Sequence, residues 1–500
     1  MLFAAGAVAL LILAGLGVVF LRPGWQITSS KAPNSSKYPI PPPNVAVATG
    51  PKAEAETALA ISPTDPDNMV AGANDFNTLN GDKWCAYYTS HDRGKTWKTG
   101  FIDGYLGGPP SLLTGYDASS DGVIVADSKG NFYYAGLAFK RHVRLPGALS
   151  NLYAGREDSM FVAKSTDKGD TFGLVSIVST AIVLPVKMDD KEWLAVDPVN
   201  GNLYLVWVIF SGTNTARIAF SKSTDGDQSW SLPTTISSVG SGWSFINTPV
   251  VVDKEGTIHI AWTDYTSKQV YYTRSSDQGN SFSTPTVVAP VVPIPDPLPN
   301  GDYRTDSGVV LAVDTSDANT SGSLYVAWAD YASGDSDVLL SSSHDGGKSW
   351  EGPVRVNNDT DGNGADQFFP AVAVSAEGWV HVGFYDRRSD PKDTLMEYWW
   401  AISFDGGSTF PVNVPMSNAS FNGAYSPGYP VGTNNDFMGD YTAVAADNQT
   451  VAGVWCDTRN GSETSQNSDI YGAVVPYKEL LKENRWNFTI PWPADNSTKK

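Results

Sequence analysis

Between residues 45 and 475 the chain runs in short stretches that alternate apolar residues with small or polar ones. Leu324-Tyr-Val-Ala-Trp-Ala-Asp330, Ile258-His-Ile-Ala-Trp-Thr-Asp264, Val380-His-Val-Gly-Phe-Tyr-Asp386 and Val451-Ala-Gly-Val-Trp-Cys-Asp457 share one outline that ends in aromatic-x-Asp. A period of two marks a strand whose faces meet different surroundings. Related stretches lie at Met69–Asp75, Asn131–Phe139 and Leu203–Ile209, which makes seven units. In each, an apolar strand precedes a turn, this second strand follows, and a third strand comes after it. The last unit, ending at Asp469–Val475, supplies only three strands, whereas Val45–Thr49 is a spare strand ahead of the first. Pairing the two ends would close a ring and remove edges that invite aggregation. The expected fold is therefore all-β: a seven-bladed β-propeller over residues 44–475, closed by its N-terminal strand. A six-bladed ring with one insertion is the alternative.

A second repeat, Ser-x-Asp-x-Gly-x-x-aromatic, follows the third strand of six units, with its aspartate at Asp92, Asp167, Asp225, Asp277, Asp345 and Asp405. The copy around Asp225 carries Asp227 where the others have glycine. Aspartate followed two residues later by glycine makes a tight turn, the carboxylate accepting backbone N–H groups and glycine supplying positive φ. These aspartates are expected to be structural. The pattern resembles the Asp box, or BNR repeat, of the sialidase-like superfamily of propellers.

Outside the repeats, Leu2–Leu21 is an uncharged apolar run long enough to cross a bilayer. Residues 1–21 are expected to form a transmembrane signal anchor, with a cleaved signal peptide as the alternative. Residues 22–43 read as a Ser/Pro-rich stalk, and 476–500 as a tail with a short helix from Tyr477. Eight Asn-x-Ser/Thr sequons, beginning at Asn34, Asn319, Asn358, Asn418, Asn448, Asn460, Asn487 and Asn496, suit a single-pass membrane protein with its propeller outside the cytoplasm. A formal charge of −19 argues against nucleic acid as a partner and against docking on anionic lipid. The membrane is met through the N-terminal helix only.

Chemistry is expected where the second strands end, at the mouth of the channel. Asp330, Asp386, Arg388 and Asp457 are candidate ligand-binding residues at that rim, although mutual pairing would also account for them. Sialidases hold a substrate carboxylate with three arginines and use tyrosine as nucleophile, assisted by glutamate, with aspartate as acid/base. The resemblance thus implies Arg304, Arg387 and Arg459 as a clamp, with Tyr441, Glu397 and Asp264 as the reacting groups. The chain departs from that family where an Arg-Ile-Pro motif is expected, having no arginine between Arg22 and Arg93. A propeller that binds a glycan or an envelope protein without catalysis is therefore preferred over an exo-acting, sialidase-type glycoside hydrolase.

Asp359-Thr-Asp361-Gly-Asn363-Gly364 places oxygens at alternate positions like the start of an EF-hand loop, so Asp359, Asp361 and Asn363 are candidate Ca²⁺ ligands, a solvated turn being the alternative. Only two cysteines occur, Cys85 and Cys456, in units that ring closure makes neighbours. They are expected either to form a disulfide locking the closure or to be two buried thiols.

Overall fold

The computed structural model describes residues 41–79, 82–144, 153–182, 187–211, 215–241, 247–428 and 436–482. The first 40 residues lie outside this set, and with them the expected anchor and most of the stalk. Among the described residues no helix is long and apolar enough to cross a membrane. Within residues 39–500 the strands assemble into seven four-stranded sheets, every pairing between their strands being antiparallel.

Each sheet is a blade of a propeller. The inner strands are Glu54–Ser62, Ala118–Ala126, Lys187–Val196, Val250–Val252, Val310–Val313, Gln367–Val374 and Ala443–Ala446, in blades one to seven. The seventh blade takes Val45–Ala48 as its outer strand, with Val45 opposite Gly472 and Ala46 opposite Tyr471. The ring is thus closed by the N-terminal strand, as the spare strand implied. One short helix, Tyr477–Lys482, follows the last blade.

Alternation explains the second strands. In a strand, residues i and i+2 share a face, so the aromatic and the aspartate of aromatic-x-Asp meet. Trp328 and Trp455 donate their indole N–H to Asp330 and Asp457 at 3.2 and 2.9 Å. The same aspartates accept the backbone N–H two residues on, as do Asp75, Asp264 and Asp386, so they close the turn into the third strand.

All six Ser-x-Asp repeats form one kind of turn between third and fourth strands. At Asp345 the carboxylate accepts from Ser343 Oγ, from the N–H groups of Lys348 and Ser349, and from Ser349 Oγ. The following turn residue packs on the preceding blade: Gly169 lies against Val70, and Gly347 against the Tyr272 ring. The aromatics extend that contact, with Phe172 on Tyr87, Phe282 on Phe220 and Trp350 on Tyr272, centroids 4.8–5.2 Å apart. Each turn therefore fastens its blade to the one before.

Register places these turns and the channel mouth on opposite faces. In blade one, Glu54 pairs with Asp75 and Asp75 with Trp84 at one end, whereas Met69 pairs with Ser90, where the turn begins, at the other.

The disulfide is not formed: Cys85 and Cys456 are free and fully buried. The physical reason is direction. Cys85 packs toward Gly136 of blade two, whereas the Cys456 thiol donates to the Glu54 carbonyl of blade one at 3.4 Å. Of the two sequence-based alternatives, buried thiols describe the structure.

Candidate functional site at the channel mouth

Four inner strands, and the segment leading into a fifth, share a local irregularity. Glu56, Asp121, Lys191, Asn247 and Phe369 stand at equivalent points in blades one, two, three, four and six, each with φ between 51° and 62°. In four of these blades the ladder slips at that point by one residue, two residues of the inner strand opposing one of its partner. Left-handed backbone costs a non-glycine residue about 1 kcal/mol or more. Such bulges re-aim side chains, and here they bring Glu56, Asp121 and Lys191 to one cavity.

That cavity measures about 160 Å³ and lies among blades one, two, three and seven and the connection ahead of blade five. Its polar wall is Glu56, Lys83, Ser120, Asp121, Asp190, Lys191, Arg304 and Asp440; Leu137, Phe139, Met188 and Phe437 complete it. Lys191 donates to Asp440 Oδ2 and stands 3.9 Å from Asp121 and 4.0 Å from Glu56. Arg304 donates to the same Asp440 oxygen at 2.7 Å and lies 3.6 Å from Asp306. Lys83 is 3.9 Å from the other oxygen of Asp121. Asn74 ties the bulges together, donating its amide to Glu56 and accepting the Asp121 N–H at 2.9 Å. Asp440 Oδ1 is buried with no hydrogen-bond partner.

Burial and neighbouring charge divide these groups. Burial, reinforced by Asp121, raises the Glu56 carboxyl well above its ordinary range. Burial also opposes ionisation of Asp121, but Lys191 and Lys83 outweigh it and hold that carboxyl below its ordinary range. Asp190 is pushed up to about 7, burial and Asp121 exceeding the pull of Lys191. Burial works against the charge on Lys191, yet Asp440 and its neighbours raise its proton affinity, so it stays charged.

Tyr441 belongs to the same neighbourhood. Its ring lies 4.8 Å from Lys191 Nζ and edge-on to Trp193 at 6.4 Å. Burial drives its phenol well above the ordinary value, so it stays protonated. Tyr441 and Trp193 line a second, more apolar cavity of about 120 Å³ further along the inner strands, with Ala58, Val123, Leu311 and Val444.

Of the sequence candidates, Arg304 and Tyr441 stand at this site. Arg387 is fully buried elsewhere, donating to Pro299 O, Asp366, Asp393 and the Tyr303 hydroxyl. Arg459 donates to Asp457, Asn418 and Asn44, fastening the closing blade, with its guanidinium 4.0 Å from the Tyr471 ring centroid. The three arginines share no partner. Asp264 is occupied by its turn, accepting from Thr266, Ser267 N–H and Ser267 Oγ. Glu397 accepts from Ser389, Ser420 and the Trp399 indole. Arg388 lies over Trp399 and against Asp386 and Asp359.

The loop of Asp359, Asp361 and Asn363 is closed by an internal cation. Arg355 donates to the Asp359 carbonyl and reaches the Asp359 and Asp361 carboxylates at 3.3 and 3.2 Å, while Asn363 donates to Asp359. No group of three His, Cys, Asp or Glu suited to a metal occurs among the described residues.

Glu56, Lys83, Asp121, Asp190, Lys191 and Asp440 were missed from sequence. A signal did exist: charged residues interrupt the opening of the first strand in Glu54-Ala-Glu56, Ser120-Asp121-Gly122 and Asp189-Asp-Lys-Glu192. Aligning the units on their first strands would have stacked them.

No protein-family model matches the sequence, and no curated protein does. Among solved structures the chain is similar to the Hadza microbial sialidase Hz136, at 14% identity over 82% of this chain and 74% of that one, with a TM-score of 0.42. It is similar to the Trypanosoma rangeli sialidase solved with the inhibitor DANA, at 14% identity over 71% and 55%, TM-score 0.43. A protein of unknown function from Dyadobacter fermentans matches at 12% identity over 86% and 97%, TM-score 0.43. The structures matched thus include sialidases, and likeness at this level carries no argument about what the chain binds.

Proposed function

We propose that the protein is an Asp-box propeller of the sialidase-like superfamily, anchored by residues 1–21 with the propeller outside the cytoplasm, that binds a glycan in the mouth cavity without cleaving it. The observation that carries this reading is the convergence of left-handed bulges from three blades on one polar cavity. Strained backbone concentrates where a side chain must be aimed, and polar groups against an aromatic wall suit a sugar's hydroxyls and C–H face. Absence of catalysis is supported by the arginines: Arg304, Arg387 and Arg459 are held by separate carboxylates rather than facing one anion. The extracytoplasmic placement is supported by the exposure of the sequon asparagines Asn319, Asn358, Asn418, Asn448 and Asn460.

A glycan array probed with the full-length protein tests the binding reading. Retention of a glycan by the wild type, lost in Lys191→Ala with an unchanged circular dichroism spectrum, is expected; retention unaffected by the substitution contradicts it. Alkaline carbonate extraction tests the anchor, which is expected to leave the protein in the membrane pellet.

One observation favours hydrolysis as a second reading. Asp121 and Asp190 are close enough to perturb each other, and their proton affinities move in opposite directions. Such a divided pair is how one site holds an acid and a base at neutral pH. Release of fluorophore from any member of a fluorogenic glycoside panel, abolished in Asp190→Asn, would establish this reading over the first.

A further inference from the structure

We infer that the mouth cavity selects a small ligand bearing a protonated amine, an amino sugar within the glycan reading on which this inference rests, and turns away carboxylated sugars. The argument is an inventory of what the cavity has left to offer. Every cation lining it already faces a carboxylate: Lys191 faces Asp440, Asp121 and Glu56, Arg304 faces Asp440 and Asp306, and Lys83 faces Asp121. An incoming carboxylate would have to displace one of these buried partners and leave it uncompensated, which is the costly way to break a buried pair.

Acceptor capacity, by contrast, is in surplus. Asp440 is 3% exposed and lines the cavity, yet its Oδ1 has no donor. A buried oxygen without a protein donor is a place where a ligand donor would gain a full hydrogen bond, and a charged donor forms the stronger bond.

Size and walls agree with a single sugar ring. A cavity of about 160 Å³ holds roughly 11 to 16 waters at about 10–15 Å³ each. Phe139 and Phe437 supply apolar faces, although Lys83 and Arg304 already cover part of each ring at 5.9 and 5.5 Å.

Isothermal titration of the full-length protein with glucosamine, N-acetylglucosamine, glucose and glucuronate, at a pH where the amine is charged, tests the inference. Glucosamine is expected to bind about tenfold more tightly than glucose or N-acetylglucosamine, with glucuronate weakest. Asp440→Asn is expected to erase the glucosamine preference while the protein remains folded by circular dichroism. Equal binding of glucosamine and glucose, or preference for glucuronate, overturns the inference and leaves the glycan reading standing. If none of the four sugars binds while a larger glycan is retained on the array, amine selection at this cavity is overturned. If neither sugars nor array glycans bind, the glycan reading falls with it.

Discussion

Lys191 and Asp440 form an ion pair across the mouth of the channel although 249 residues separate them in sequence. One lies on the inner strand of blade three and the other just ahead of that of blade seven, so the contact exists only because the sheet closes into a ring. Arg304 meets the same carboxylate from a third direction. The pair thus joins the architecture to the chemistry of the cavity.

Removing the lysine should expose that dependence. Lys191→Met leaves Asp121 with only Lys83 at 3.9 Å and Asp440 with Arg304 alone. Breaking a buried pair from one side typically costs about 3–5 kcal/mol. A urea midpoint at pH 7 lowered to that extent is expected, and an unchanged midpoint contradicts the hub assigned to Lys191.

Asp227 occupies a glycine position at φ 77°, buried, with Ser176 and Trp230 as its donors. Burial raises its carboxyl to about 7, above an unfolded value of roughly 3.9. The folded chain therefore holds the proton more tightly, and the stability linked to it is complete below about pH 4 and lost as pH rises through about 7. Asp227→Gly removes both the strain and the titration. The variant is expected to gain about 1 kcal/mol at pH 8 and less at pH 5, measured by urea unfolding. A gain larger at pH 5 than at pH 8 contradicts the assignment.

Arg387 and Arg304 should separate folding from binding. Arg387→Ala strands Asp366 and Asp393 in the interior and is expected to cost about 3–5 kcal/mol of stability, with glycan retention falling only as the protein unfolds. Arg304→Ala alters a half-buried side chain at the cavity and is expected to reduce retention in folded protein. Thermal melts read beside array binding distinguish the two, and the reverse pattern contradicts both placements.

Calcium should have no effect on the Asp359 loop. Arg355 supplies the positive charge to Asp359 and Asp361, and a divalent ion would have to expel it. Equal melting temperatures in calcium and in chelator are expected; a clear rise in calcium contradicts the placement of Arg355.

Much of the ring was legible because its determinants are local and repeated. Trp328-Ala-Asp330 and Ser343-x-Asp345 state a strand end and a turn within a few residues, and Val45–Thr49 stated the closure as the missing fourth strand. The cavity was not legible in the same way. Arg387 and Arg459 look like ligand-binding arginines by their place after the second strands, and only packing reveals that Asp366, Asp393 and Asp457 already hold them. Asp440 gives no local sign of serving Lys191 and Arg304, since its partners come from other blades. The resemblance drew attention to arginines, whereas the bulges at Glu56, Asp121 and Lys191 build the site mostly from carboxylates and lysine.

The most direct measurement is a crystal structure of the protein soaked with the glycan it retains on an array. The account predicts difference density for one sugar ring beside Phe437, with a donor on Asp440 Oδ1 and Lys191 and Arg304 still on Oδ2. Density seated instead at the rim around Arg388 and Asp457, with the mouth cavity holding only water, would contradict it.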